Sequence, residues 1–263
     1  RSERLRTIRA PIMSAAAAYR ARLIDTEPLH LRAALAFAEQ AWRRPLTEGE
    51  TTELNALYQT LRDQGLVHEA AIRMVLTRVL VSPAFLYRGE QAAPGRGQAP
   101  VSDWELASRL SYFLWSSAPD AELRQLAASG QLHEPEMLVS QAQRMIQHPN
   151  VRRLATEFGA QWLHVRDLET LEEKSERHFP EFLSLRDDMQ EEAVRFFIDL
   201  FQENRSVLAL LDADYSFLNG PLATHYGIPL PKEGADWQRV DGLQAQGRGG
   251  ILGFAATLYK QSG

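Results

Sequence analysis

The chain has 263 residues, of which 44% are apolar and 24% charged, an ordinary soluble-globular composition with enough apolar material for a sizeable core. Having no cysteine, it forms no disulfide, thiolate zinc site, iron–sulfur cluster or covalently attached c-type haem, and no sulfur nucleophile acts in it. A net charge of −5 and a pI near 5.9 argue against a general nucleic-acid binder, whose footprint is a basic patch. No apolar run approaches the ~20 residues that span a bilayer, so the chain reads as not membrane-spanning. It begins Arg1-Ser2-Glu3-Arg4 and ends Ser262-Gly263 just after an apolar run, and both ends read as cuts in a longer chain.

In chain order, Leu31, Leu35, Ala38 and Trp42 recur every three to four residues and predict an amphipathic helix that stops at Arg44, before Pro45. Thr47 and Glu50 form a capping box for a second helix, with Leu54, Leu57, Tyr58 and Leu61 inward and Gly65 at its end. A third follows, with Ile72, Val75, Leu76, Val79 and Leu80 on the inner face, and breaks at Ser82-Pro83. The Pro- and Gly-rich stretch from Gln91 to Pro100 reads as a linker. Ser102 and Glu105 repeat the capping box ahead of Trp104, Ala107, Leu110 and Leu114. Asp120 opens a helix through Leu123 and Leu126 to Gly130, and Leu138, Ala142, Met145 and Ile146 make the next stripe. From Asn150, Val151, Leu154, Ala155, Phe158, Trp162 and Val165 share a narrow arc of one helix. After an acidic connection from Leu168 to Arg177, a long helix from Phe182 to Asn204 turns Met189, Ala193, Phe196, Phe197, Leu200 and Phe201 inward. Asp212 to Pro231 is rich in turn formers, Trp237 to Leu243 reads as a short strand with a β-hairpin near 237–243, and an apolar helix starts at Ile251. The fold class is therefore all-α, with bundle-like units and a loop-rich C-terminal portion.

Without cysteine, histidine is the first place to look for metal or acid–base chemistry. Glu27-Pro28-Leu29-His30 has the Glu-x-x-His spacing of di-iron bundles, but no second copy exists and Pro28 interrupts the motif, so no metal site is expected. His164 shares a helix line with Glu157 and Gln161, an arrangement that suits either a carboxylate-oriented imidazole or a solvated helix edge. His225, beside Tyr226 and Gly227, is expected at the end of a short helix. Asp212-x-Asp214-x-Ser216 opens like a calcium loop but has Phe217 in place of the turn Gly and Ala223 in place of the closing Glu. Asp212, Asp214 and Asn219 therefore read as turn and cap formers. Gly247-Arg248-Gly249-Gly250 lacks both the dinucleotide and Walker patterns and leaves Arg248 to hold an anion, including a carboxylate of the same chain. Glu172-Glu173 and Glu191-Glu192 read as solvated faces, not as a glycosidase pair. No Gly-x-Ser-x-Gly elbow occurs.

Three groups of motifs carry a resemblance. Phe37-Ala-Glu-Gln-Ala-Trp-Arg-Arg-Pro-Leu-Thr47 with Val79-Leu-Val-Ser-Pro-Ala-Phe-Leu-Tyr87 resembles the first helical module of planctomycete-type cytochrome-associated proteins. Glu105-Leu-Ala-Ser-Arg-Leu-Ser-Tyr-Phe-Leu-Trp-Ser-Ser-Ala-Pro-Asp120 with Gln161-Trp-Leu-His-Val-Arg-Asp167 resembles the second. Ser206-Val-Leu-Ala-Leu-Leu-Asp-Ala-Asp-Tyr-Ser-Phe-Leu-Asn219, His225-Tyr-Gly-Ile228 and Arg248-Gly-Gly-Ile-Leu252 lead into the third. These modules are domains of unknown function 1595, 1592 and 1588. The resemblance implies a large exported, periplasmic bacterial protein that often carries a c-type cytochrome module upstream. Any c-type haem belongs to such a further module, and no cofactor is expected in this chain. The family has no settled activity and transfers no catalytic residue.

The expected organisation is a helical module over 1–90, a linker over 91–100, a second helical module over 101–205 and a truncated, loop-rich third over 206–263. The leading function is an accessory or scaffolding region that contacts other modules of its parent or a redox partner. The rival is a periplasmic or surface enzyme, an oxidoreductase or polymer-degrading protein with a cleft between the second and third modules. For that reading His164, His225, Asp212, Asp214 and Arg248 are the residues to test. A third reading, a partner-binding surface, predicts a large exposed apolar patch.

Overall fold

The computed structural model describes residues 2–90, 100–170, 177, 180–232, 234 and 236–261. Residues 91–99 of the linker expected over 91–100, and 171–176 of the acidic connection expected from Leu168 to Arg177, lie outside the described residues. The protein is all-α, with one two-stranded antiparallel ladder among the described residues, and its chain forms two compact units, 1–108 with 118–130 and 109–117 with 131–263.

The first unit is built on α1 (Ser2–Ala41), α2 (Glu48–Asp63), α3 (His68–Leu80) and the short α4 (Pro83–Leu86). Ala34, Ala38 and Ala41 give α1 a smooth face that packs with Ala71, Val75 and Val79 of α3 and with Leu54 and Tyr58 of α2. Trp42 closes this core, its indole N–H donating to the Val79 carbonyl at 3.1 Å. α1 ends at Ala41, three residues short of the expected stop, because Arg43 takes a left-handed conformation (φ 62°). Its buried guanidinium donates to the carbonyls of Ala41, Ala84 and Tyr87 and so ties the end of α1 to α4. The predicted capping box of α2 forms: Thr47 Oγ1 accepts from the Glu50 amide and the Glu50 carboxylate accepts from the Thr47 amide. Arg44, followed by the Thr47 bonds, holds the Glu50 carboxyl down at about 2 against burial that pushes it up. On α3 the core stripe steps by four through Ala71, Val75 and Val79, which leaves Leu80, expected inward, substantially exposed beside Ile72 and Leu76.

Next in the chain come α5 (Asp103–Trp115), opened by the predicted Ser102–Glu105 box, and α6 (Ala121–Ala128), capped by Asp120. The second unit is organised around α9 (Phe182–Gln202), reached after α7 (Pro135–Gln147) and a helical run from Pro149 that includes α8 (Arg152–Leu154). Phe182, Leu185, Met189, Ala193, Phe196, Phe197 and Leu200 form its buried face. The run from Pro149 departs from the expected single α-helical arc. Residues Ala155–Ala160 form a π turn, whose wider i→i+5 winding brings Gly159 and Ala160 inward and leaves Phe158 and Trp162 about half exposed. Gly159 is required there, since a Cβ would lie 2.5 Å from the Phe197 ring.

After α10 (Ala209–Asp212), strand β1 (Tyr215–Leu218) pairs antiparallel with β2 (Gln238–Asp241), Tyr215 opposite Asp241 and Leu218 opposite Gln238. β2 is the predicted strand. β1 lies in the stretch read as turns, and α11 (Gly220–Tyr226) falls between the two strands. The apolar helix expected from Ile251 starts instead as α12 (Ala255–Gln261), after a 3₁₀ turn over Ile251–Gly253. At Gly250 (φ 56°) a Cβ would meet the Leu210 carbonyl oxygen at 2.4 Å, so only glycine lets this loop cross α10.

Candidate functional site

In the first unit a groove of about 950 Å³ runs between α1 and α3. Leu23, Ile24, Phe37, Ile72, Leu76 and Leu80 supply its apolar lining, and Arg20, Arg73 and Glu69 stand on it as charged side chains. A polar relay lies along its wall. Arg62 donates to Glu27 at 3.2 Å, and the Tyr58 hydroxyl donates to the same carboxylate at 3.4 Å. The Tyr58 oxygen lies 2.9 Å from His68 Nδ1, and His68 Nε2 lies 2.9 Å from His30 Nδ1. The two imidazoles stack with ring centroids 5.2 Å apart.

Burial, then the charge of Glu27, raises the Tyr58 pKa and keeps the phenol protonated. The donor and acceptor roles of His68 and His30 follow the tautomers they take, and the His30 ring lines the groove. The arrangement sets two stacked imidazoles and a phenol beside apolar surface. Sequence spacing had singled out Glu27 and His30 as a pair. Tyr58 and His68 were missed as members of the site, because only the packing of α2 and α3 on α1 brings them to it. Among the described residues no group of three or more His, Asp or Glu could hold a metal ion.

The second unit contains a buried carboxylate that the sequence reading had placed on a solvated face. Glu192 is 1% exposed, in step with Leu185, Met189 and Phe196 on the inward side of α9. Ser216 and Tyr226 each donate a hydroxyl to it at 2.6 Å, and the Tyr226 oxygen accepts the Ala255 amide at 2.8 Å. Burial pushes the Glu192 carboxyl up to about 7, opposed by the two hydroxyls and by the charge of Arg248. The i, i+4, i+7 spacing of Leu185, Met189 and Glu192 was the available signal. Its neighbour Glu191 behaves as expected of a surface carboxylate, pairing with Arg152 and Arg195. Nearby, Asp199 accepts from Arg205 at 2.5 Å and from the Tyr215 hydroxyl at 2.8 Å, and burial with this contact pushes the Tyr215 phenol up to about 12.

The five residues marked from sequence stand apart from one another. His164 is exposed and left-handed (φ 59°), while Glu157 and Gln161 turn to Arg166. Asp214 accepts the Gln244 amide at 2.6 Å, the Asp212 carbonyl accepts the Gln244 side chain at 2.6 Å, and Asn219 caps α11, which is the turn-and-cap arrangement expected. His225, in the last turn of α11, meets Glu181 at 2.9 Å. Arg248 donates to the Gly253 carbonyl at 2.8 Å and lies 3.7 Å over the Tyr226 ring. Its charge acts on Glu192 of the same chain, lowering that carboxyl's pKa against the effect of burial. Among the described residues no hydrogen bond, ion pair or ring contact joins any two of these five.

Fold and groove together define an all-α protein of two helical units. Within it, residues 31–90 match the family model PSD5, a protein of unknown function (DUF1595), and residues 101–228 match PSD4, a protein of unknown function (DUF1592). Both are domains expected from the motifs, and the stretch from 206 to 228, expected with a third, lies within the DUF1592 match. Searches of curated proteins and of solved structures returned no match. No helix among the described residues is long and apolar enough to cross a membrane.

Proposed function

We propose that this chain is an accessory, partner-binding helical region of an exported, cytochrome c-associated multidomain protein, and that the α1–α3 groove is where it holds another module of its parent or a redox partner. The observation that carries this reading is the groove itself, because a soluble protein rarely leaves large apolar side chains such as Leu23, Ile24, Phe37 and Leu80 open to water along one face without a use for them. The separate local partners of Asp214, His225 and Arg248 support structural roles for those residues. Export, the cytochrome association and the division into three modules rest on the motif resemblance. The two family matches support that resemblance over 31–90 and 101–228.

Hydrogen–deuterium exchange on the chain, alone and mixed with the parent's other modules as separate polypeptides, tests the proposal. Slower exchange over 20–37 and 67–80 on mixing is the expected result. Unchanged exchange there, with any protection confined to the second unit, would overturn it.

A further inference from the structure

The face of α1 that enters the groove extends well beyond it, with a period that specifies the kind of partner. Ile12, Tyr19, Thr26 and Ala33 recur every seven residues, and Ala16, Leu23, His30 and Phe37 interleave with them at alternating steps of four and three. This is a heptad seam of about four repeats, the pattern by which one helix accepts another along its length. Its upper part is open, with Ile12 59% exposed, Tyr19 62% and Leu23 40%, while His30 further down stacks on His68. Its lower half, from Leu23 to Phe37, is the α1 wall of the groove, where α3 supplies the second wall. Counted along the helix from Ile12 to Phe37, the face is about 38 Å long, the scale of a helix rather than of a small molecule.

Charge narrows the choice of helix. Residues 4–24 carry five arginines and no acid, in a chain whose net charge is −5. Arg20 and Arg22 occupy the two flanking positions between Tyr19 and Leu23, where coiled coils place the charges that select a partner, and Glu27, the flanking position a heptad after Arg20, is already paired with Arg62. Neither Arg20 nor Arg22 pairs with a carboxylate among the described residues, and Arg73 adds an exposed cation from α3. A second copy docking through this face about a two-fold axis near Arg20 and Arg22 would bring those arginines against themselves.

Resting on the groove reading above, we infer that the partner presents an amphipathic helix whose apolar stripe is bordered by Asp or Glu, laid along α1 with its end between α1 and α3.

The test uses two labelled peptides of about three heptads with Leu at both seam positions, one flanked by Glu and one by Lys, titrated onto the full chain by fluorescence anisotropy. The Glu-flanked peptide should bind about tenfold or more tighter, and the gap should shrink as salt rises. The double variant Arg20→Glu, Arg22→Glu should reverse the preference. Leu23→Asp, at a site already partly exposed, should abolish binding of both peptides while leaving the circular dichroism spectrum unchanged. Equal binding of the two peptides would sink the charge assignment but leave the groove reading standing. If neither peptide binds, both readings fall. Two further results would also overturn the inference: self-association of the chain that Leu23→Asp removes, or arginine-dependent binding to phosphatidylglycerol vesicles without peptide binding.

Discussion

Protonation and folding are coupled at Glu192. Its carboxyl moves from an ordinary 4.5 to about 7 on burial, so between those values the folded protein holds a proton that the unfolded chain has released. Stability from this group is therefore fully present below about pH 4.5 and is lost as pH rises through 7, by an amount on the order of 3 kcal/mol. Urea unfolding of wild type and Glu192→Gln across pH 5 to 8 checks this, since the amide cannot titrate. The wild type should weaken with rising pH relative to the variant, and parallel curves would refute the coupling. Glu50 has the opposite sign, because Arg44 holds its carboxyl near 2 and the stability it adds is lost as pH falls from 4.5 toward that value.

At the scale of elements, capping chemistry and apolar period were legible wherever a single regular helix satisfied them. α2, α6 and α9 begin at or within a residue of where Thr47, Asp120 and Phe182 said they would. The π turn was not legible, because Phe158 and Trp162 fit an α-helical arc better than the residues that replace them inside. The decisive interaction is long-range, the approach of the Phe197 ring to a backbone position that has no side chain. Gly159→Ala should accordingly cost about 1 to 3 kcal/mol by overpacking, measured by thermal or urea unfolding. A neutral result would mean that α9 moves aside freely. β1 was hidden for a related reason. Its four residues follow Asp212 and Asp214, whose turn bonds dominate the local signal, and its pairing partners lie twenty or more residues further on.

For the whole molecule, two cores imply two sets of stabilities. Phe196 is completely buried in the second unit, so Phe196→Ala should destabilise that unit by about 3 to 5 kcal/mol. Amide exchange in α2 and α3, around the separate core of Leu54, Val75 and Val79, should remain at its wild-type rate. Faster exchange in both units would show them to be one cooperative body. Composition and period were sufficient for the all-α class, but the candidate site was only half legible. Glu27 and His30 stood out by spacing on one helix, whereas Tyr58 and His68 join them through the packing of three helices, which no local spacing records.

The π turn also governs how the chain can change length. It accommodates one residue more than an α-helical turn would need between Ala155 and Ala160. Loss of one exposed residue there, such as Glu157, could be absorbed by local rewinding, with Val151 and Leu163 still reaching the core. An equal deletion within α9 has no slack to draw on, and would rotate every later residue of that helix by about 100° away from its place. Natural variants that are one residue shorter are therefore expected to carry the gap at the π turn and to have lost the requirement for glycine at position 159.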